Sequence, residues 1–151
     1  MKIKIIHIGK LSISYKDSVQ YYTDRLSHYC ELEIVSVKQA KNMPDDKAVE
    51  IEGERLLKAI EGEDCIVALS EEGKTLRSVE FANWLSVART YAGCVTFVIG
   101  GAFGLSNEVK QKADLLLSLS PLTFQHDLAQ LVLLEQIYRA MTIMRGESYH
   151  K

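Results

Sequence analysis

Four groups of side chains in this chain have types and spacings that could do chemistry. Gly100-Gly101-x-x-Gly104 closes the run Cys94–Ser106. With no side chains where the chain leaves a strand, backbone amides there can lie directly against a ligand. His126 follows the loop Leu119–Phe124 and opens the last helical segment. An imidazole at that point can contact substrate or move a proton, or simply cap the helix. Glu135 and Arg139 stand four residues apart, a spacing that lets them pair on a helix. At a free surface that pair contributes only about a few tenths of a kcal/mol; inside an interface beside a pocket Arg139 becomes an anion or substrate contact. The tail Arg145-Gly146-Glu147-Ser148-Tyr149-His150-Lys151 combines basic, aromatic and imidazole groups. Such groups can hold phosphate and stack on an unpaired base, although a chain end can equally be frayed.

The glycine loop is neither a dinucleotide fingerprint, which needs G-x-G-x-x-G, nor a P-loop, which needs Gly-Lys-Ser/Thr. Its weight comes from company. Three apolar runs end in short Gly-, Ser- or Pro-containing loops at Leu69-Ser70, Gly100-Gly101 and Leu119–Phe124. Ligands in open α/β sheets bind outside the carboxyl ends of strands. With no lysine cluster to hold a triphosphate, these edges suit a neutral or cationic ligand carrying an adenine ring.

The elements that must position these residues alternate from end to end. Lys2–Gly9, Glu31–Val37, Cys65–Leu69, Cys94–Ile99 and Leu115–Leu119 read as strands from their β-branched or alternating composition. Ser14–Tyr29, Pro44–Ile60, Ser78 to beyond Ala88, Ser106–Lys112 and Gln125–Met144 read as helices, with Val49, Ile51, Leu56, Leu57 and Ile60 as the buried face of the second. Ser70–Lys74 reads as a turn. The class is therefore α/β, a mainly parallel sheet flanked by helices, with 1–151 as a single domain. The last helix is apolar in nearly every direction, from Leu131 and Val132 to Ile143 and Met144, and such a helix must be covered all round. One sheet face cannot do that, so a second subunit is expected.

Composition narrows the class of function. Net charge is −2, with no global nucleic-acid footprint, although residues 1–30 carry five basic against two acidic side chains. Residues 31–64 reverse that balance, with five basic against ten acidic. The cysteines Cys30, Cys65 and Cys94 are odd in number and far apart, which fits reduced thiols in a cytoplasmic protein and neither a disulfide nor a metal site. No apolar run reaches membrane-spanning length, and no signal pattern opens the chain.

With these pieces in place, the sequence resembles the ribosomal RNA large subunit methyltransferase H (RlmH) family of the SPOUT superfamily. The resemblance is carried by Ile3–Lys10, Phe97-Val98-Ile99-Gly100-Gly101 with Gly104-Leu105, Leu117–Ser120 with Leu122-Thr123-Phe124, His126, Glu135–Ala140, Ile143-Met144-Arg145 and Tyr149-His150. It implies an α/β-knot whose C-terminal segment forms a trefoil knot, a homodimer, and S-adenosylmethionine held in the knot. It further implies methylation of N3 of a pseudouridine in 23S rRNA on assembled ribosomes. Carried over by position, Leu69, Gly100, Leu119, Ser120, Pro121, Leu122, Thr123 and Phe124 contact the cofactor, and His126, Glu135, Arg139, Tyr149 and His150 lie toward the substrate. The base that removes the N3 proton could be His126, His150 or water. One departure stands out: Gln130 occupies the position where the family carries arginine, and Asp127 follows the histidine. That removes a positive charge from the expected RNA side and motivates an alternative, a knotted S-adenosylmethionine- and RNA-binding protein with lost or altered catalysis. A nucleotide- or flavin-binding protein is a third reading, resting on the glycine loop alone.

Overall fold

A computed structural model describes residues 1–151. Five strands, β1 (Lys2–Ile8), β2 (Glu31–Val37), β3 (Cys65–Thr75), β4 (Cys94–Ile99) and β5 (Leu115–Ser118), form one parallel sheet in the order β2-β1-β4-β3-β5. The central strands are apolar on both faces because helices cover both. Helices α1 (Lys16–Leu26), α3 (Ser78–Tyr91) and α5 (His126–Met144) cover one face, over a core built on Ile3, Ile5, Val67, Phe97, Leu85, Leu133 and Ile137. Helices α2 (Asp45–Ala59) and α4 (Asn107–Lys112) cover the other, over Ile6, Ile8, Ala68, Val98, Leu56 and Val109. Alternation along β1 thus sends odd residues to the α5 side and even ones to the α2 side.

Local chemistry sets most boundaries. Pro44 precedes α2, and Asp45 and Asp46 sit in its first turn, where the helix dipole favours carboxylates. The Ser106 hydroxyl accepts from the Val109 amide and caps α4.

Three expectations are corrected. β3 does not stop at Leu69. Residues 70–73 leave the ladder, but Lys74 and Thr75 rejoin it, so Leu117 of β5 is opposite both Leu69 and Lys74. The excursion is pressed tightly on β5: a Cβ on Gly73 would lie 2.7 Å from the Leu116 carbonyl. On α2, the fully buried face is Ala48, Glu52, Gly53 and Leu56, not Val49 and Ile51. Glu52 can be buried because its carboxylate accepts the Ala40 amide at 2.9 Å. Finally, α1 is shorter than Ser14–Tyr29, beginning after a 3-10 turn at Ile13–Tyr15.

The long helix α5 buries Asp127, Gln130, Leu134, Ile137 and Met141 against its own chain. Leu128, Val132, Glu135 and Arg139 lie away from this core and, like Leu131 and Ile143, which still touch it, are only half-buried. Gln130 is 2% exposed, so the expected loss of charge on an RNA-facing surface does not occur at this position in the chain. No helix is long and apolar enough to cross a membrane.

Candidate active site

A cavity of about 740 Å³ opens at the carboxyl ends of β3, β4 and β5. Its first wall is the loop that leaves β4. Gly104 takes a φ of 83° and its amide donates to the Gly101 carbonyl at 3.1 Å, folding the loop back on itself. A Cβ on Gly100 would stand 2.7 Å from the Gly104 carbonyl carbon. A side chain there would force the loop open, and its absence leaves the backbone facing the cavity.

The second wall is the β3 excursion, with Leu69, Ser70, Glu71 and Glu72 on the cavity. Its carboxylates are held by other residues of the lining: the Thr123 hydroxyl donates to Glu71, and Lys110 pairs with Glu72 at 2.9 Å. The third wall is the loop after β5. There the Ser118 hydroxyl donates to the Ser120 carbonyl at 2.9 Å, and the Leu122 amide donates to the Ser120 hydroxyl at 2.9 Å. Phe103 and Leu122 form an apolar lip at the mouth and are 53% and 74% exposed. His126 and Ala129, from the first turn of α5, close the floor. Nε2 of His126 lies 3.3 Å from the buried Asp127 carboxylate.

Of the residues expected at the cofactor, Leu69, Gly100, Leu119, Ser120, Leu122, Thr123 and Phe124 line this cavity, and Pro121 does not. Sequence reasoning missed Glu71, Glu72, Phe103, Lys110 and Gln125. Only the polarity of the expected turn at 70–74 pointed toward any of them.

The remaining candidates form a second cluster. Glu135 accepts from Arg139 Nε at 3.1 Å and Nη2 at 2.5 Å, and from the Tyr149 hydroxyl at 3.0 Å. The Arg139 guanidinium lies 4.7 Å from the centre of the Tyr149 ring and 3.4 Å from Nδ1 of His150. Tyr149 in turn packs edge-on against Tyr138, with centroids 4.8 Å apart. The tail is therefore docked on α5. Hydrogen bonding to Glu135 holds the Arg139 guanidinium above its usual range, and burial pushes the Tyr149 phenol well up. Gln136 links the network onward, donating to Glu135 at 2.6 Å and accepting from the Ser78 hydroxyl at 2.8 Å.

His126 and Arg139 are thirteen residues apart on one helix, a rise of about 20 Å. Within a single chain, the structure brings His126 to the cavity and leaves Glu135, Arg139, Tyr149 and His150 together at a distance from it. A smaller cleft of Arg25, His28, Tyr29, Tyr138 and Arg145 lies beside this second cluster. In it, Arg25 and Arg145 stack over Tyr138 and Tyr29 at 5.1 and 4.3 Å.

Comparison with known proteins bears on both clusters. The family described as "Predicted SPOUT methyltransferase" matches residues 1–150. The "Ribosomal RNA large subunit methyltransferase H" proteins of Carboxydothermus hydrogenoformans and of Streptococcus pneumoniae strain CGSP14 are each 42% identical to this chain, over the whole of both chains. A probable methylase family protein from Haemophilus influenzae Rd KW20 has the same fold, with a TM-score of 0.59 at 15% identity over 99% of this chain and 70% of that one. A probable methyltransferase from Bordetella pertussis Tohama I matches with a TM-score of 0.57 at 17% identity, over 92% of this chain and 95% of that one.

Proposed function

The chain belongs to the ribosomal RNA large subunit methyltransferase H family of the SPOUT α/β-knot fold, and from that premise we propose how its two clusters divide the work. The protein is an S-adenosylmethionine-dependent methyltransferase acting on N3 of a pseudouridine in 23S rRNA, with the assembled ribosome as substrate. The observation that carries this reading is the full-length 42% identity, joined to a cavity built where that fold holds its cofactor.

The residues present fit S-adenosylmethionine. The cavity is walled by bare backbone at Gly100 and by Leu69, Leu119 and Phe124, surfaces suited to an adenine ring and the aliphatic arms of a sulfonium. The carboxylates on its rim favour a cationic ligand. When bound, the cofactor supplies a methyl group made electrophilic by its sulfonium. The chain's part is to hold two reactants in line and keep water away, which suits a pocket without a nucleophilic side chain. The Gly100–Gly104 loop and the Leu119–Phe124 loop grip from opposite sides. His126 stands at the floor, where it can take up the proton that the base nitrogen must lose.

We take the chain to work as one domain and as a homodimer in the cytoplasm. The half-buried stripe Leu128–Leu131–Val132 is the apolar surface a second copy would cover. A second copy also answers the separation along α5, because the tail cluster of one protomer can reach the cavity of the other. The bound rRNA would meet Arg139, Tyr149 and His150 there. The reading as a catalytically silent binder loses its motive, since Gln130 is buried.

Labelled methyl transfer to ribosomes lacking the modification, compared with free large subunits, tests the reading. Incorporation confined to assembled ribosomes is expected. No incorporation by folded protein that binds S-adenosylmethionine would refute it.

A further inference from the structure

The face of β1 that carries Ile3 and Ile5 into the core continues at His7, which pairs across the sheet with Ile99, the residue before Gly100. His7 is 4% exposed, and its Nδ1 has no hydrogen-bond partner. It lies within electrostatic reach of Asp127 and His126 at the start of α5. Asp127 is 2% exposed. Its Oδ2 accepts the Ser12 amide at 3.2 Å and Gln125 Nε2 at 3.4 Å, while its Oδ1 accepts no hydrogen bond and stands 3.3 Å from His126 Nε2. No lysine or arginine pairs with this carboxylate.

A buried carboxylate with one vacant oxygen and no cation is costly, and the helix amino terminus offsets only part of that cost. Two imidazoles, those of His7 and His126, stand near enough to act on it. His7 is the poorer candidate, because burial pushes its basicity down, a charge on His126 pushes the same way, and the Asp127 charge and the Ile8 backbone only partly oppose them. His126 keeps a 25% exposed side chain and lines the cavity, so it can exchange protons with a bound substrate and with water.

We propose that Asp127 is a positioning residue that holds His126 with Nε2–H turned toward its vacant oxygen, leaving Nδ1 to accept the substrate's N–H proton, with neutral His7 closing the buried side. The proposal rests on the methyl-transfer reading above. The N–H proton passes to Nδ1, the nitrogen's electron pair forms the bond to the methyl carbon, and the carbon–sulfur pair returns to sulfur. The resulting imidazolium, paired with Asp127, releases its proton to water at the cavity mouth. The division of roles follows the general rule that a buried carboxylate fixes the tautomer of a histidine base and stabilises its charged form.

The test begins on the protein alone. Nitrogen-15 NMR of histidine-labelled wild-type protein should show His126 in the Nε2–H tautomer, shifting toward a mixture in Asp127→Asn. A wild-type His126 protonated on Nδ1 would overturn the proposal, and this readout stands even if the variant fails to fold. In methyl transfer, Asp127→Asn should lower kcat by about 100-fold, with KM for ribosomes and Kd for S-adenosylmethionine changed by less than about 3-fold. His126→Gln should lose a similar factor, and the double variant little more. Equal kcat in Asp127→Asn, or losses that multiply in the double variant, would refute the coupling. Absence of methyl transfer by the wild-type protein refutes the functional reading instead, whereas the tautomer reports on the Asp127–His126 pairing either way.

Discussion

Replacing His7 by leucine should stabilise the protein, and by more in acid than at neutral pH. His7 lies in the core with an unpaired ring nitrogen. An unsatisfied buried polar atom costs about 1–3 kcal/mol, and leucine removes it while adding apolar contact beside Ile3 and Ile5. At pH 7.5 we therefore expect His7→Leu to gain about 1 kcal/mol. The acid effect follows from linkage. The folded-state pKa of His7 lies below its ordinary value of 6.5, with burial as the main cause. Below pH 6.5 the unfolded chain binds a proton that the folded chain refuses, so the unfolded state is favoured as pH falls. The stability is complete above 6.5 and is lost toward the folded pKa, with a limiting slope of about 1.4 kcal/mol per pH unit. The charged or titratable groups acting on His7, Asp127 and His126, both belong to α5 and remain in the variant. Urea unfolding of wild-type and His7→Leu protein at one protein concentration, from pH 7.5 to 5, reads the term, because groups that do not act on His7 cancel in the difference. The advantage of the variant should widen as pH falls below 6.5, by no more than about 1.4 kcal/mol per pH unit. A difference that stays constant across that range would refute the account of His7 as a buried neutral imidazole.

Other perturbations probe the remaining parts of the site. Gly100→Ala puts a Cβ 2.7 Å from the Gly104 backbone, so the loop must open. Calorimetry should show at least about tenfold weaker S-adenosylmethionine binding, roughly 1.4 kcal/mol, with the sheet intact by circular dichroism. Glu135→Ala removes the common acceptor of Arg139 and Tyr149. The Gly146 and Glu147 amides, which donate to the Ile143 and Thr142 carbonyls, should then exchange at least about tenfold faster with solvent, and unchanged protection would mean that the tail's other contacts, Tyr149 on Tyr138 and Glu147 with the Tyr29 hydroxyl among them, dock it without Glu135. Val132→Glu places a carboxylate in the half-buried stripe on α5, where covering it would cost several kcal/mol. Sedimentation should turn a dimer at micromolar concentration into a monomer, whereas a wild-type monomer would overturn the dimer itself.

How far the sequence could be read depended on the distance over which each feature is decided. β2 and β4 lie where their runs place them, at Glu31–Val37 and Cys94–Ile99: β4 because a strand buried on both faces advertises itself locally, and the half-buried edge strand β2 because its alternation does. The end of β3 is decided by partners more than forty residues away. Ser70–Lys74 has the composition of a turn, and only pairing with Leu117 and Ser118 returns Lys74 and Thr75 to the ladder. The burial of Glu52 and Gly53 is similarly remote, since Glu52 needs the Ala40 amide and a Cβ on Gly53 would strike the Ser106 side chain. The cavity wall was legible through Gly100 and the loop after Leu119, where glycine, serine and proline follow apolar strands. His7 was not, because strand alternation marks it only as one more inward position. Asp127 and Gln130 attracted notice as departures from a pattern, yet what each does follows from burial, which periodicity in an all-apolar helix cannot assign.

α5 poses the remaining geometric question. It carries His126 at one end and the arginine–tyrosine–histidine cluster of Arg139 at the other, about 20 Å apart on a rigid rod. One substrate base cannot touch both in a single chain. In the proposed dimer the stripe between the two ends is the contact surface, and a two-fold axis there would set the tail of each copy against the cavity of the other. Mixing two inactive proteins separates the possibilities. His126→Gln lacks the base, and a chain ending at Ser148 lacks Tyr149 and His150. If the tail serves the partner's cavity, each mixed dimer has one site with both lesions and one with neither. Random exchange makes half of the dimers mixed, so activity should return to about a quarter of the wild-type value. If the tail serves its own chain, every site in every dimer keeps a lesion and the mixture stays as inactive as its components.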